Sequence, residues 1–367
     1  MFRYRLLPIG SKLSFKMIFR SSSLFAALCF CAYASGQSAV SGPAALPEPR
    51  TYQSLQSAID SGHASDALEQ IKALEAQGVS LPVLKRIEGS AYYALGNMQS
   101  ADSAYAAALS EDPNDTEAAG MRGLVLLKLG RPADAIPWLE KAGRSFSEGK
   151  SALGKADPNY ALALCYIDTR RYDDARHAFA AQFGFAGDGK EAYLVTARML
   201  LRREYLPVAR DFAEKAIALD ASMPLAHELL GEIGLAQGRL NNAITEFETE
   251  RKMNPLEPST YDRLGDAYNR AARYDDAQRV LQEALLLEPN STGPFILLGK
   301  TLLRKNDPGG AAMYLEHAAQ MDDANYMTHN LLGQAYRAMG RTEDAKRETD
   351  LGQKLQVATE PKLDNPR

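Results

Sequence analysis

Cysteine is almost missing from this chain. Its 367 residues hold three, and two of them, Cys29 and Cys31, fall in one apolar stretch near the start. Cys165 is then alone in the remainder, which excludes an intrachain disulfide there and any multi-cysteine metal site. Histidine is equally thin. His63, His177, His227, His317 and His329 are scattered and never spaced H-x-x-x-H, so no metal-ligand pattern forms. The G-x-S-x-G elbow of serine hydrolases does not occur, and Cys165, between Leu164 and Tyr166, reads as a small core residue and not as a nucleophile. These gaps point away from catalysis: no enzyme activity, metal or cofactor is expected. Positive charge is the other shortage. The formal net charge is −4, but Arg3, Arg5, Lys12, Lys16 and Arg20 lie in the first 34 residues, which contain no Asp or Glu. Beyond them 37 basic residues face 46 acidic ones, about −9. Such a chain has no electrostatic basis for taking nucleic acid or anionic lipid as its main partner.

What is present begins with an export-like N-terminus. The segment "MIFRSSSLFAALCFCAYASG" (17–36) places a basic residue before an apolar run and then small residues, with Ala32-Tyr33-Ala34 fitting an A-x-A cleavage site. The run is short of the ~20 residues that span a bilayer. Residues 1–34 are therefore read as a signal peptide, with Met17 an alternative start and 35–47 a flexible linker. The expected location is periplasmic or secreted, with membrane attachment only through an uncleaved signal or a lipid anchor at Cys31.

The eight residues "GFAGDGKE" (184–191) come close to the phosphate-binding pattern G-x-x-x-x-G-K-[ST], but Glu191 stands where Ser or Thr is needed. That loop also requires a preceding buried strand, whereas helical periodicity covers 173–183. The glycines read as a connector that ends a helix, and no nucleotide is expected.

A period of 34 residues organises the rest. With units starting at 48, 82, 116, 156, 190, 224, 258, 292 and 326, position 20 is Ala67, Ala101, Ala135, Ala175, Ala209, Ala243, Ala277, Ala311 and Ala345. Position 8 is Gly89, Gly123, Gly231, Gly265, Gly299 and Gly333, with Leu55, Ala163 and Ala197 in the other units. Each unit holds two runs at helical spacing separated by a turn such as Gly130-Arg131-Pro132. Neither helix can bury its apolar stripe alone, so unit must stack on unit. Residues 48–149 hold units one to three, 150–155 an insertion, 156–359 units four to nine with a polar terminal cap helix, and 360–367 a loose tail.

The residues Leu264-Gly265, Tyr268, Ala277, Leu281, Ala284 and Pro289 resemble the tetratricopeptide repeat pattern closely, and the likeness extends over 48–359. Departures are local: Leu55 replaces the small residue of the first unit, Gly234 and Glu250 replace Tyr and Ala in the sixth, and Thr349 and Gly352 alter the ninth. The resemblance implies an all-α, right-handed α-solenoid of about nine helix-turn-helix repeats.

It also implies a binding groove, because first helices in this family line a concave face through positions 2, 5, 9, 12 and 13. Here the N-terminal half supplies an apolar wall that includes Tyr52, Tyr93, Leu124, Tyr160 and Leu164. The C-terminal half supplies Arg198, Arg202, Glu228, Glu232, Asp262, Asp266, Asn269, Arg270, Lys300, Arg304 and Arg337. An apolar wall suits a peptide or helix, and charges would set its orientation. The alternative is that Arg198, Glu232, Asp266 and Lys300 neutralise one another between neighbouring helices, as exposed pairs do with ~0–1 kcal/mol each. The chaperone-tail clamp of this family needs Lys at position 5, where this chain has Glu228 and Asp262. Two functions are expected from these features. The first is a non-enzymatic envelope scaffold holding a partner segment during assembly or secretion of surface structures. The second is a regulatory or substrate-presenting subunit of an envelope enzyme complex, in polysaccharide synthesis or protein modification. Self-association through a repeat edge stays open.

Overall fold

The computed structural model describes residues 49–79, 82–147 and 157–359. The chain divides between Ala45 and Leu46 into two units, and all described residues belong to the second. The signal peptide, the 35–47 linker, the 150–155 insertion and the 360–367 tail lie outside the described residues.

Every regular element among the described residues is an α-helix. The pairs are α1 (Pro49–Asp60) with α2 (Ala64–Ala76), α3 (Pro82–Ala94) with α4 (Met98–Glu111), α5 (Thr116–Lys128) with α6 (Pro132–Ser147), and α7 (Asn159–Asp168) with α8 (Tyr172–Phe183). They continue as α9 (Lys190–Arg202) with α10 (Leu206–Leu219), α11 (Ala226–Ala236) with α12 (Leu240–Met253), and α13 (Pro258–Arg270) with α14 (Tyr274–Leu287). The last are α15 (Thr292–Arg304) with α16 (Pro308–Met321), and α17 (Tyr326–Ala338) with α18 (Thr342–Thr359). The chain is an all-α solenoid, and the helix bounds follow the 34-residue register to within a few residues.

Local chemistry explains the punctuation. Asn97, Asp115 and Asp307 accept backbone N–H groups three residues on, which caps α4, α5 and α16. Between the two helices of each unit, position 15 takes a left-handed backbone. It is glycine at 62, 96, 130, 238 and 340, but Arg170, Glu204, Ala272 and Asn306 adopt the same conformation with φ between 57° and 63°. A side chain there carries a steric cost that glycine avoids.

Two positions set how closely the helices approach. All nine position-20 alanines are 2% exposed or less. At position 8, a Cβ added to Gly231 would sit 2.5 Å from Phe247, and one at Gly265 would overlap Leu281 outright. The same opposition pairs Gly89 with Tyr105, Gly123 with Leu139 and Gly299 with Leu315. A position-24 side chain therefore fills the space that the position-8 glycine leaves, and the pair of helices closes on it.

Between units the core is largely apolar, and one polar joint recurs three times. Tyr166, Tyr268 and Tyr336 donate their hydroxyls to Glu140, Glu248 and Glu316 of the preceding unit at 2.6–2.7 Å. Arg171, Arg273 and Arg341 lie over the same three rings at 4.4, 4.5 and 3.9 Å. Burial, together with the carboxylate each one faces, pushes the Tyr268 and Tyr336 hydroxyls up to about 12.

The sixth unit departs from the repeat pattern for a visible reason. α11 begins after Leu225, which has φ 64° and no side-chain oxygen to cap the helix. Glu250 of α12, wholly buried, reaches across and accepts the N–H groups of Leu225 at 2.8 Å and Glu228 at 3.3 Å. The residue that breaks the alanine pattern is thus the missing cap, supplied from the neighbouring helix.

Odd-numbered helices touch their odd-numbered neighbours, as α9 does α11, α13 does α15 and α15 does α17, whereas even-numbered helices make no comparable contact with one another. α7 and α9 are the exception among the odd pairs. The array therefore curves with the odd helices inside, and their exposed faces form the inner wall.

Candidate partner-binding groove

The charged half of the inner wall runs over α9, α11, α13, α15 and α17. Position 5 of α11 is Glu228, 2% exposed. Its Oε2 accepts the hydroxyls of Ser259 and Thr260, both at 2.7 Å, and its Oε1 accepts Arg263 Nε at 3.1 Å. One turn on, Glu232 Oε1 lies 2.9 Å from Arg263 Nη1 and 3.7 Å from Arg198 Nη1, ion-pair contacts without a linear hydrogen bond. Burial pushes the Glu232 carboxyl up, and those two arginines oppose the shift. Asp266 is held by Arg270 Nε at 2.7 Å and Lys300 Nζ at 3.5 Å. Asn269, mostly buried, accepts the Thr301 hydroxyl at 2.9 Å, while its amide nitrogen is buried without a partner.

Asp262 repeats the position of Glu228 one unit later and lacks its donors. Where α13 presents Ser259, Thr260 and Arg263 to Glu228, α15 presents Gly293, Pro294 and Leu297. Asp262 Oδ1 is buried with no partner, and burial, reinforced by the Glu288 charge, pushes this carboxyl up to about 7. Arg202, Arg304 and Arg337 are exposed and have no carboxylate within 4 Å among the described residues.

The apolar half is more packed than open. Leu124 and Leu164 are half-buried against the core. Tyr93 lies under the Lys128 ammonium at 4.7 Å, and Tyr52 is half-buried in the first unit's cluster with its hydroxyl unpartnered. Tyr160 is the exposed member at 39%, its ring edge-on to Phe179 at 5.7 Å and its hydroxyl 3.6 Å from Met199 Sδ.

The connector 184–189 ends α8 through Gly184, with φ 72°, and Gly189 opens α9. Arg176, 4% exposed, lies beneath it, hydrogen-bonded to the Gly187 carbonyl and to Asp188 and stacked on Tyr193 at 4.5 Å. Lys190, the lysine of the phosphate-like motif, is paired with Asp220 at 2.6 Å. Every recognisable part of that motif has a structural partner.

Tetratricopeptide repeat profiles match residues 86–148 and 160–224, and a second such profile matches 260–294. The chain carries tetratricopeptide repeats in these segments. Among curated relatives, this tetratricopeptide protein is 29% identical to the chloroplastic tetratricopeptide repeat domain-containing protein PYG7 of Arabidopsis thaliana over 25% of this chain and 32% of that one. It is 25% identical to the anaphase-promoting complex subunit Cut9 of Schizosaccharomyces pombe over 56% of this chain and 33% of that one. The chain therefore spans about a third of the length of these two relatives. Among solved structures, MamA of Desulfovibrio magneticus aligns at 17% identity and a TM-score of 0.44, over 47% of this chain and 97% of that one. In general terms, tetratricopeptide repeat proteins are protein–protein interaction scaffolds.

Sequence reasoning missed Arg263, Ser259 and Thr260, which bind the groove's carboxylates. Arg263 and Thr260 occupy positions 6 and 3, outside the wall positions, and Ser259 occupies wall position 2 but was not among the residues singled out. Aligning position 5 of one unit with positions 2, 3 and 6 of the next would have exposed them.

Proposed function

We propose that this protein is a non-enzymatic scaffold of the cell envelope that holds a segment of a partner protein along the inner wall of its solenoid, in the assembly or secretion of surface structures. The observation that carries the reading is the line of solvent-facing groups left on the odd helices, Tyr160 on α7, Arg202 on α9, Arg304 on α15 and Arg337 on α17. A curved repeat array presents such a line to one extended ligand. The envelope location rests on the sequence of residues 17–36.

A photoreactive amino acid placed at Tyr160 or Arg304, and for comparison at Lys252, an exposed residue of the even helix α12, tests the reading in cells of the source organism. The expected outcome is a discrete protein adduct from the two inner positions and none from Lys252. Adducts from Lys252 alone, or from no position, would overturn it.

A further inference from the structure

The groove's charges are not what their sequence suggests. In the sequence, acidic residues at positions 5 and 9 of α11 and α13 form the centre of the wall. In the folded protein that centre is already occupied. Glu228 is saturated by two hydroxyls and a guanidinium, Glu232 sits between Arg263 and Arg198, and Asp266 sits between Arg270 and Lys300. Asp262 holds its proton well above the ordinary carboxylate range because nothing donates to it. None of the four offers an approaching ligand a free negative charge.

The cations are not equally consumed. Arg304 and Arg337 are exposed in the last turns of α15 and α17, helices in direct contact, and neither has a carboxylate partner among the described residues. Their helix C-termini attract them, but that attraction is weak for an exposed group and leaves the guanidinium donors unfilled. In a chain with about nine excess acidic residues past its first 34, this is a local reversal of sign.

We infer that the C-terminal third of the groove receives an acidic segment, rich in Asp and Glu, whose carboxylates are held by Arg304 and Arg337 across the ends of α15 and α17. The inference rests on the groove being the binding surface and adds the chemistry of what fills it. Guanidinium forks suit carboxylates because two parallel N–H groups meet two oxygens. The Arg270–Asp266–Lys300 contacts beside this pair leave one positive charge in excess, so the adjoining α13 and α15 surface adds to the attraction for carboxylates.

The test uses fluorescence anisotropy with the whole chain and three labelled peptides: a Glu/Asp-rich one, its Gln/Asn counterpart, and a Lys-rich one. Binding of the acidic peptide alone is expected, weakening with added salt and weakening by about tenfold or more in the Arg304→Glu/Arg337→Glu variant. Arg304→Gln/Arg337→Gln should fall between the two. Both changes are at exposed positions, and unchanged far-UV circular dichroism verifies the fold. Equal binding of the acidic peptide to wild type and both variants, or preference for the Lys-rich or neutral peptide, overturns the inference. So does tighter binding of a single-stranded oligonucleotide than of the acidic peptide. An adduct from Arg304 in the crosslinking experiment together with no acidic-peptide binding would reject the acidic partner and leave the groove reading standing.

Discussion

Replacing Asp262 by Asn should stabilise the protein at alkaline pH and not at acid pH. The carboxyl is pushed from 3.8 to about 7 because it is taken out of water with no donor to replace it. Three units correspond to about 4 kcal/mol of penalty on the ionised form. The side chain keeps some contact with solvent, so the working figure is smaller, about 2 kcal/mol. The sign follows from proton counts. Between pH 4 and pH 7 the unfolded chain has released this proton and the folded chain still holds it, so stability falls as pH rises through that window and the full deficit is present above it. Asn removes the titration without changing size. Urea unfolding followed by circular dichroism at pH 4 and pH 8 should show the two proteins nearly equal at the lower pH and the variant more stable at the higher one. The other carboxylates titrate in both proteins and cancel in the difference. A gap that is the same at both pH values, or largest at pH 4, would mean that Asp262 is solvated or has a donor, and the account of the missing Ser, Thr and Arg would be wrong.

Four further substitutions test the packing. Glu250→Ala should lower stability by ~1–3 kcal/mol through uncapping α11, with Glu250→Gln retaining part of the loss; an unchanged urea midpoint refutes the cross-helix cap. Gly265→Ala pushes a methyl into Leu281 and should cost ~1–3 kcal/mol by the same measurement, whereas no cost would show that α13 and α14 can separate freely. Ala272→Gly acts in the opposite direction: relieving φ 57° should raise stability by ~0.5–1 kcal/mol, and a decrease would mean that the left-handed turn costs nothing there. Tyr336→Phe removes the hydroxyl that ties α17 to Glu316 and should cost ~1 kcal/mol, read as faster hydrogen exchange in α17 and α18; exchange confined to wild-type rates would discount the joint.

The fold was legible because tetratricopeptide packing repeats the same small residues at the same places. The nine position-20 alanines announced a close helix pair, and all nine are buried. The connector was legible too, since Gly184 and Gly189 flank a gap between two helical runs. The last helix was legible as well: α18 ends at Thr359, the end of the ninth unit read from the sequence, with Pro361 two residues beyond it. The groove was legible only in part. Sequence placed Glu232 and Asp266 on the wall and offered their neutralisation by Arg198 and Lys300 as an alternative, which the structure pairs accordingly, but it did not show that Arg263 and Arg270 share in it. Nor could it separate Glu228 from Asp262, which share a position and differ only in what the next helix brings. Glu250 looked like noise in a pattern of alanines until its hydrogen bonds were visible.

The tyrosine joints have a mechanical consequence. They pin the third unit to the fourth, the sixth to the seventh and the eighth to the ninth. Other contacts between units are ion pairs nearer to water, such as Arg203 with Asp168 between the fourth and fifth and Lys305 with Asp275 between the seventh and eighth, the latter two units being joined also by the buried Thr301–Asn269 bond. Salt screens the second kind and leaves a buried hydroxyl bond nearly untouched. The joint between the fourth and fifth units, where α7 and α9 also lack the contact that the other odd neighbours make, is then a salt-sensitive one, and the curvature of the inner wall at that point should follow the ionic strength around it.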